Sequence, residues 1–529
     1  MQEWLLNCRN SSMLSRQRLE CALLVLLVAL SRYLFRSHYL YDLDSVNFAL
    51  GIGRFDPAVH QPHPPGYFLY IWLARSANTF FHDPNAALVA ISLLASCGAA
   101  AMVYLLTWEW FGGKAAVFAG LIFLVSPLTW FHGTVALIYM VEGFLSALLG
   151  YLCWRMHCGK AAYVFPAAMV LGLGAGIRPS FSLFLAPLFL FSLRKVPPRK
   201  ALAGIGCLLL AVLAWFLPMV EASGGFQAYF SSLFSLWRVA GGRETVFNSS
   251  PFTSLARILA IILAYIICFG SAVLFSGRFF DKATPQTRYQ RAFTLIWIVP
   301  GLLFFSFIFL IFVNSGYLLV IFPPLFAWLG LWTAEWYARL QWPAPLKNTV
   351  VALLAAINVL VFLEASAYCT NRSVRQFEAE IEDLRQSVRR IASPQQTLIV
   401  GFDSHFLGYR HAGYYLPDYS VAQYPEVRFA FGQRVFFMRN RNTQLRERLE
   451  AGQFTNFLLF PLPSDEEAYR KYFAKIKAKF PPGDLRTVHA GHHDFVFAPI
   501  ADLPYLFPDA ASPALYTAHH AADSTVYSR

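Results

Sequence analysis

The sequence predicts a polytopic α-helical membrane protein of about eleven spans, followed by a small α/β domain on the outer side. Three observations predict it. Of the 529 residues, 57% are hydrophobic and 14% charged, where a soluble domain carries about 25% charged residues. Apolar runs near the roughly 20 residues that a bilayer needs recur along the first three-quarters of the chain. After residue 366 the composition changes, and alternation and short apolar runs replace the long ones.

The spans are expected near 20–37, 85–107, 115–131, 136–155, 161–177, 179–193, 201–220, 255–276, 292–313, 317–337 and 348–366. Arg9, Arg16 and Arg18 precede the first without a small-residue cleavage site, so it reads as a retained signal anchor. The apolar segment 66–81 is bounded by His63-Pro64-Pro65 and His82-Asp83-Pro84, and is placed along the outer interface. With the N-terminus inside, the inner loops hold Lys114, Lys160, Arg194, Lys195, Arg199, Lys200, Arg278, Lys282, Arg288, Arg291, Arg339 and Lys347. The outer loops at 132–135 and 314–316 hold no Lys or Arg, and the one at 221–254 holds only Arg238 and Arg243. This asymmetry sets the orientation. It also accounts for the net charge of +13 without nucleic acid. The eight cysteines form no disulfide framework or CxxC zinc site.

The domains expected are therefore a cytoplasmic N-terminus (1–19), a membrane domain (20–366) with an outer loop at 38–84, an outer α/β domain (367–505) and a tail (506–529). In the α/β domain Val374, Phe377, Ile381, Leu384, Val388 and Ile391 follow steps of three and four, one face of an amphipathic helix. Thr397 to Phe402, Val435 to Met438, Phe457 to Phe460 and Phe495 to Ala498 are short apolar runs. Ser464-Asp465-Glu466-Glu467 reads as a capping box opening a helix to Phe480.

The chemistry-bearing stretch is Tyr41-Asp42-Leu43-Asp44-Ser45, followed by His60-Gln61-Pro62-His63-Pro64-Pro65-Gly66-Tyr67. Two carboxylates two residues apart can share a cation, or one can act as a base beside a structural partner. The bland reading makes them helix caps. Prolines stiffen the segment holding His60 and His63, whose imidazoles suit a phosphate or a metal; the bland reading is histidines beside a turn. Glu142 lies just inside the fourth span, where a charge is a functional candidate by default; its bland reading is a carboxylate snorkelling to the interface. Arg178, in Gly176-Ile177-Arg178-Pro179, suits a phosphate or equally a lipid headgroup. Gly172, Gly174 and Gly176 follow no strand, so they read as close helix packing and not a dinucleotide loop. Tyr317 opens the tenth span. His489, His492, His493 and Asp494 read as exposed residues entering a strand before they read as a metal cluster.

An acidic residue just after the first span, an interfacial loop and a Pro-Pro-x-Tyr element resemble the GT-C class of membrane glycosyltransferases. The pattern is similar to the protein O-mannosyltransferase and aminoarabinose transferase group and covers roughly residues 20–340. The resemblance implies an inverting transferase in a bacterial inner (cell) membrane. Its donor would be a sugar on a polyprenyl phosphate, and its acceptor a hydroxyl reached from outside. It matches Asp44 to the catalytic base and Glu142 to an acidic residue of an early span. Where the family often has Asp-Glu, this chain has Asp44-Ser45, so a second carboxylate role would fall to Asp42. A Lys that contacts the lipid phosphate is replaced by His63, and a His or Arg before Tyr317 is replaced by Gly316. His63 and Arg178 would offset charge on the leaving phosphate, with His60 beside them. The carboxylates also allow a divalent metal, for which no ligand spacing argues. The rival readings are a flippase or transporter of a lipid-linked substrate, against which no internal repeat is found, and a non-catalytic assembly protein.

Overall fold

The computed structural model describes residues 2–57, 60–237, 245–280, 285–310, 315–365, 369–402, 404, 407–424, 452–461 and 486–500. The helix expected from Ser464 to Phe480, the run from Val435 to Met438 and the tail lie outside the described residues. The helices in chain order are α1 (Gln2–Leu34), α2 (Leu43–Gly53), α3 (Phe68–Phe81), α4 (Pro84–Phe111), α5 (Gly113–Val125), α6 (Pro127–His132), α7 (Tyr139–His157), α8 (Val164–Ile177), α9 (Pro179–Leu193), α10 (Pro198–Ala222), α11 (Phe226–Leu236), α12 (Pro251–Phe269), α13 (Pro285–Phe307), α14 (Pro323–Arg339), α15 (Ala344–Glu364), α16 (Asn371–Ile391) and α17 (Tyr409–Tyr415). By contact the chain divides into two compact units. The first is Met1–Ser37, Tyr67–Pro218 and Gly241–Val374; the second is His38–Gly66, Met219–Ala240 and the residues from Arg375 on. Residues 38–66, expected from the sequence as a loop of the membrane domain, thus group with the C-terminal residues.

Five helices of the described residues are long and apolar enough to cross a bilayer: Pro84–Phe111, Pro198–Ala222, Pro251–Ser276, Thr287–Phe307 and Ala344–Glu364. Gly113–Val125, Ala161–Ile177 and Pro179–Leu193 are shorter apolar helices. Leucines stand exposed on these helices, among them Leu209, Leu210, Leu259, Leu263, Leu353 and Leu360. Water would penalise so continuous an apolar surface; hydrocarbon does not. At 14 residues, α3 is about 21 Å long, short of the roughly 30 Å hydrocarbon core.

Three expected spans are interrupted. The segment 115–131 breaks at Ser126-Pro127, where the Ser126 hydroxyl caps α6. Arg32, buried in the first unit, closes the end of α5 by donating to the carbonyls of Leu124 (2.8 Å) and Phe123 (3.3 Å). A cation there matches the negative end of the helix. The segment 255–276 leaves the α-helix at Gly270, whose φ of +52° favours glycine, and continues as a 3-10 helix over Gly270–Phe280. The segment 317–337 starts as a 3-10 helix (Ser315–Val320) and becomes α14 at Pro323.

Small residues let these helices approach. A Cβ on Gly172 would lie 2.7 Å from Ala211 of α10, and one on Gly176 would lie 2.7 Å from Leu69 and Trp215. The glycines of α8 are therefore packing positions, as the sequence suggests.

In the second unit α16 buries Phe377, Ile381, Leu384 and Val388, the expected face. Five strands form one mixed sheet: β1 (Thr397–Phe402), β2 (Ser420–Tyr424), β3 (Asn456–Leu459), β4 (Arg486–Ala490) and β5 (His493–Pro499), in the order β2-β1-β3-β5-β4. β1 runs parallel to β2 and β3, and β5 antiparallel to β3 and β4. The helix α17 lies between β1 and β2 in sequence and packs against both.

Candidate functional site

Within the second unit, residues 42–57 and 60–63 supply two arms that meet at one carboxylate. Asp42 is extended (φ −112°, ψ 157°) and its carboxylate accepts the Asp44 N–H at 2.8 Å, capping α2. A capping oxygen satisfies an amide that the first turn leaves without a helical partner. The bland reading thus holds for Asp42. The helix begins at Leu43, so Asp44 falls in its first turn, where the helix dipole favours a negative charge.

The second arm turns back to Asp44. Asp56 and Gln61 exchange two backbone hydrogen bonds, of 2.6 and 3.0 Å, and the Gly66 N–H donates to the His63 carbonyl at 3.1 Å. The Gln61–Pro62 and Pro64–Pro65 peptides are cis. The arm brings His63 Nδ1 to 3.4 Å from Asp44 Oδ1, the two side chains being 15% and 21% exposed. Phe48, one turn along α2, lies 5.9 Å from the His63 ring, and the His60 ring is 6.4 Å from it. Burial, then the charges of Arg410 and His63, hold the His60 imidazole well below its usual range, so it is neutral at pH 7. The arrangement offers a partly exposed carboxylate with an imidazole in ion-pair reach, which is the minimum for proton transfer at a bound hydroxyl.

Glu142, Arg178 and Tyr317 lie in the first unit, and the structure brings them together. Glu142 sits in the first turn of α7 and Arg178 at the junction of α8 and α9. Arg178 Nη1 donates to Glu142 Oε2 at 2.9 Å, with 12% and 3% of the side chains exposed. The guanidinium lies 4.3 Å above the Tyr317 ring and 5.6 Å from that of Tyr139. This pair is buried and its charge balanced; it is not a snorkelling carboxylate with a separate headgroup anchor. The sequence reading missed Tyr139 and His132, whose rings are 5.3 Å apart. Gly316 fits here by lacking a side chain, since a Cβ would lie 2.5 Å from His132 Cε1 and 2.6 Å from the Tyr139 ring.

Reasoning along the sequence also missed Arg410, His411 and Tyr415 of α17, which touch the arms of the Asp44 turn. No local pattern marks them; the signal is a contact across some 350 positions. His489 pairs with Asp494 at 2.9 Å on the exposed β4–β5 hairpin, and the His492 N–H donates to Asp383. Among the described residues no three His, Cys, Asp or Glu side chains are grouped to hold a metal ion.

No protein-family model matches this chain, and no curated protein matches it. Solved structures do. ArnT from Cupriavidus metallidurans bound to undecaprenyl phosphate matches with a TM-score of 0.58 at 13% identity, covering 90% of this chain and 97% of that one. The apo state of the same protein matches with a TM-score of 0.52 at 14% identity, covering 92% and 98%. The oligosaccharyltransferase AglB from Archaeoglobus fulgidus, in complex with an inhibitory peptide and a dolichol-phosphate, has a TM-score of 0.41 at 13% identity over 83% and 69%; it is too distant to add to the argument. The resemblance to the GT-C class read from the motifs therefore extends to the fold, which this chain shares with ArnT over nearly its whole length.

Proposed function

We propose that this protein is a membrane glycosyltransferase that moves a sugar from a polyprenyl-phosphate donor to an acceptor hydroxyl outside the cytoplasm. The observation that carries the proposal is the Asp44–His63 pair, held by the Asp42 cap in a chain with the fold of ArnT. The acceptor oxygen attacks the anomeric carbon, the bond from that carbon to the phosphate oxygen breaks, and the polyprenyl phosphate leaves. The anomeric configuration inverts. Asp44 takes the hydroxyl proton as the new bond forms. His63 orients the Asp44 carboxylate, and Asp42 holds the turn that carries it.

Charge that develops on the leaving phosphate needs fixed positive groups, often the largest contribution to catalysis. Arg178 is suited to this. Its partner Glu142 and the Tyr317 face fix the plane of its fork, and a planar fork is what a phosphate matches. ArnT is described with undecaprenyl phosphate bound, which favours a lipid phosphate as the leaving group.

Deletion of the gene in the source organism is the test. Cells lacking it should accumulate a polyprenyl-phosphate-linked sugar and lose one surface glycan. Wild-type protein should reverse both. Asp44→Asn keeps the size and the fold but cannot take the proton, so transfer should fall by about 10²–10⁴-fold with the protein still inserted. Transfer at the wild-type rate by Asp44→Asn would remove the base assignment.

A further inference from the structure

We propose that α17 sets the geometry of the Asp44 turn, with Arg410 as the positioning residue for the His60–His63 arm; this rests on the reading of Asp44 as the base. All the residues concerned lie in the second unit.

The helix α17 is itself pinned to the sheet. Gly401 of β1 has no side chain where a Cβ would lie 2.6 Å from Tyr409 Cα and 2.7 Å from Tyr409 Cβ. The first turn of α17 therefore sits directly on β1 and cannot drift along it. From this base, two adjacent residues reach the two arms of the site. His411, fully buried, is flanked by the backbone of Leu40 and Tyr41 and meets the Phe377 ring edge-on at 5.5 Å. One turn later the Tyr415 hydroxyl accepts the Leu40 N–H at 2.6 Å. These contacts fix the chain immediately before the Asp42 cap. Arg410 reaches the other arm. It is 1% exposed, and its Nη1 donates to the His60 carbonyl at 3.4 Å while its Nε donates to the Tyr409 hydroxyl at 3.0 Å.

The distance from Asp44 to His63 therefore depends on more than the turn that contains them. Each arm is tied to the same seven-residue helix. Burying a guanidinium carries a large desolvation cost, and an apolar residue of similar size would pack as well. Among its contacts the cation holds a backbone carbonyl three residues before His63, beside an imidazole whose own protonation it opposes. The Tyr409 hydroxyl fixes the direction in which the fork points.

Hydrogen exchange on the purified full-length protein tests this separately from activity. The probes are the amides of 56–66, including the Asp56–Gln61 pair and Gly66, compared with those of β1. A hydrogen bond to a charged group contributes enough that Arg410→Met should speed exchange of 56–66 by about tenfold while β1 is unchanged. Tyr409→Phe removes the orienting bond and leaves the cation, so it should give a smaller rise in the same peptide; it also serves should Arg410→Met fail to fold. Arg410→Lys should fall between wild type and Arg410→Met. Transfer of labelled lipid-linked sugar extracted from source membranes should lose kcat, with KM for that donor near wild type. Unchanged exchange at 56–66 in the folded variants overturns the proposal. So does a rise shared equally by β1, which makes Arg410 an ordinary core residue, and so does local loosening with unchanged kcat. Wild-type transfer by Asp44→Asn would instead overturn the function reading and leave the exchange result standing.

Discussion

Acidification should loosen the unit that carries Asp44, and His411 sets the size of the effect. Burial pushes its pKa from the ordinary 6.5 to about 3, against the opposing pull of the Leu40 and Tyr41 backbone. The imidazole is fully buried, so solvent screening does not discount the shift. Between pH 6.5 and 3 the unfolded state binds a proton that the folded state refuses, and stability then rises with pH. This contribution is whole above pH 6.5 and is lost as pH falls through the window, at about 1.4 kcal/mol per pH unit. By pH 5 the loss is about 2 kcal/mol, on the order of 30-fold in local opening. His60 is shifted in the same direction and adds to the loss. The part of this window above pH 5 lies above the range where ordinary carboxylates titrate. The assay is amide protection of 397–402 and 409–415 at pH 7 and pH 5, corrected for intrinsic exchange rates. His411→Phe keeps the edge contact with Phe377 and removes the titrating group, so its pH dependence should be smaller by about that 2 kcal/mol. Equal pH dependence in wild type and His411→Phe, or greater protection at pH 5, would refute the reasoning.

Four further outcomes are expected. Glu142→Ala strands the Arg178 charge in a buried site, so the first unit should lose about 3–5 kcal/mol of stability, read as a lower melting temperature. Arg178→Lys should leave binding of undecaprenyl phosphate weaker than wild type, because an ammonium lacks the fork; wild-type affinity in both Arg178→Lys and Arg178→Ala would remove Arg178 from the phosphate. Gly316→Ala overpacks against His132 and Tyr139 and should cost about 1–3 kcal/mol in thermal stability, where a neutral result would mean that the rings can give way. A reporter enzyme active only outside the cytoplasm, fused after residue 400, should be active, and fused at 284 it should be silent; the reverse would invert the topology derived from the loop charges.

The sequence was most readable where the signal is periodic. The face of α16 followed from Val374 to Ile391 because burial imposes the 3.6-residue repeat directly. β1, β3 and β5 were visible as apolar runs, while β4, with three of its five residues exposed, had no such run to show. Span ends were less readable. Ser126-Pro127 does carry a turn signal, but apolar residues on both sides hid it within one hydrophobic window. The candidate residues themselves were visible as charges and imidazoles in improbable places. Their partners were not, since Glu142 and Arg178 stand 36 positions apart and Arg410 lies 350 positions from His60. No local pattern encodes such pairs. The two aspartates show the limit most clearly. Spacing alone left them equivalent, and it is the cap bond from the Asp44 amide to Asp42 that gives one a structural task and leaves the other's oxygens facing His63.

Gly316 shows how a departure from a family pattern can have a physical cause. A His or Arg was expected before Tyr317 on the resemblance, as a contact to phosphate. The space such a side chain would enter is filled by the His132 and Tyr139 rings, so a cation at 316 would displace both. The guanidinium that stacks on Tyr317 comes from Arg178 instead, at 4.3 Å, and Glu142 keeps it there. With glycine at 316, Tyr317 still has a positive neighbour, and it comes from the α8–α9 junction. A substitution that restored a basic residue at 316 without shrinking His132 and Tyr139 should disrupt this arrangement and not reinforce it.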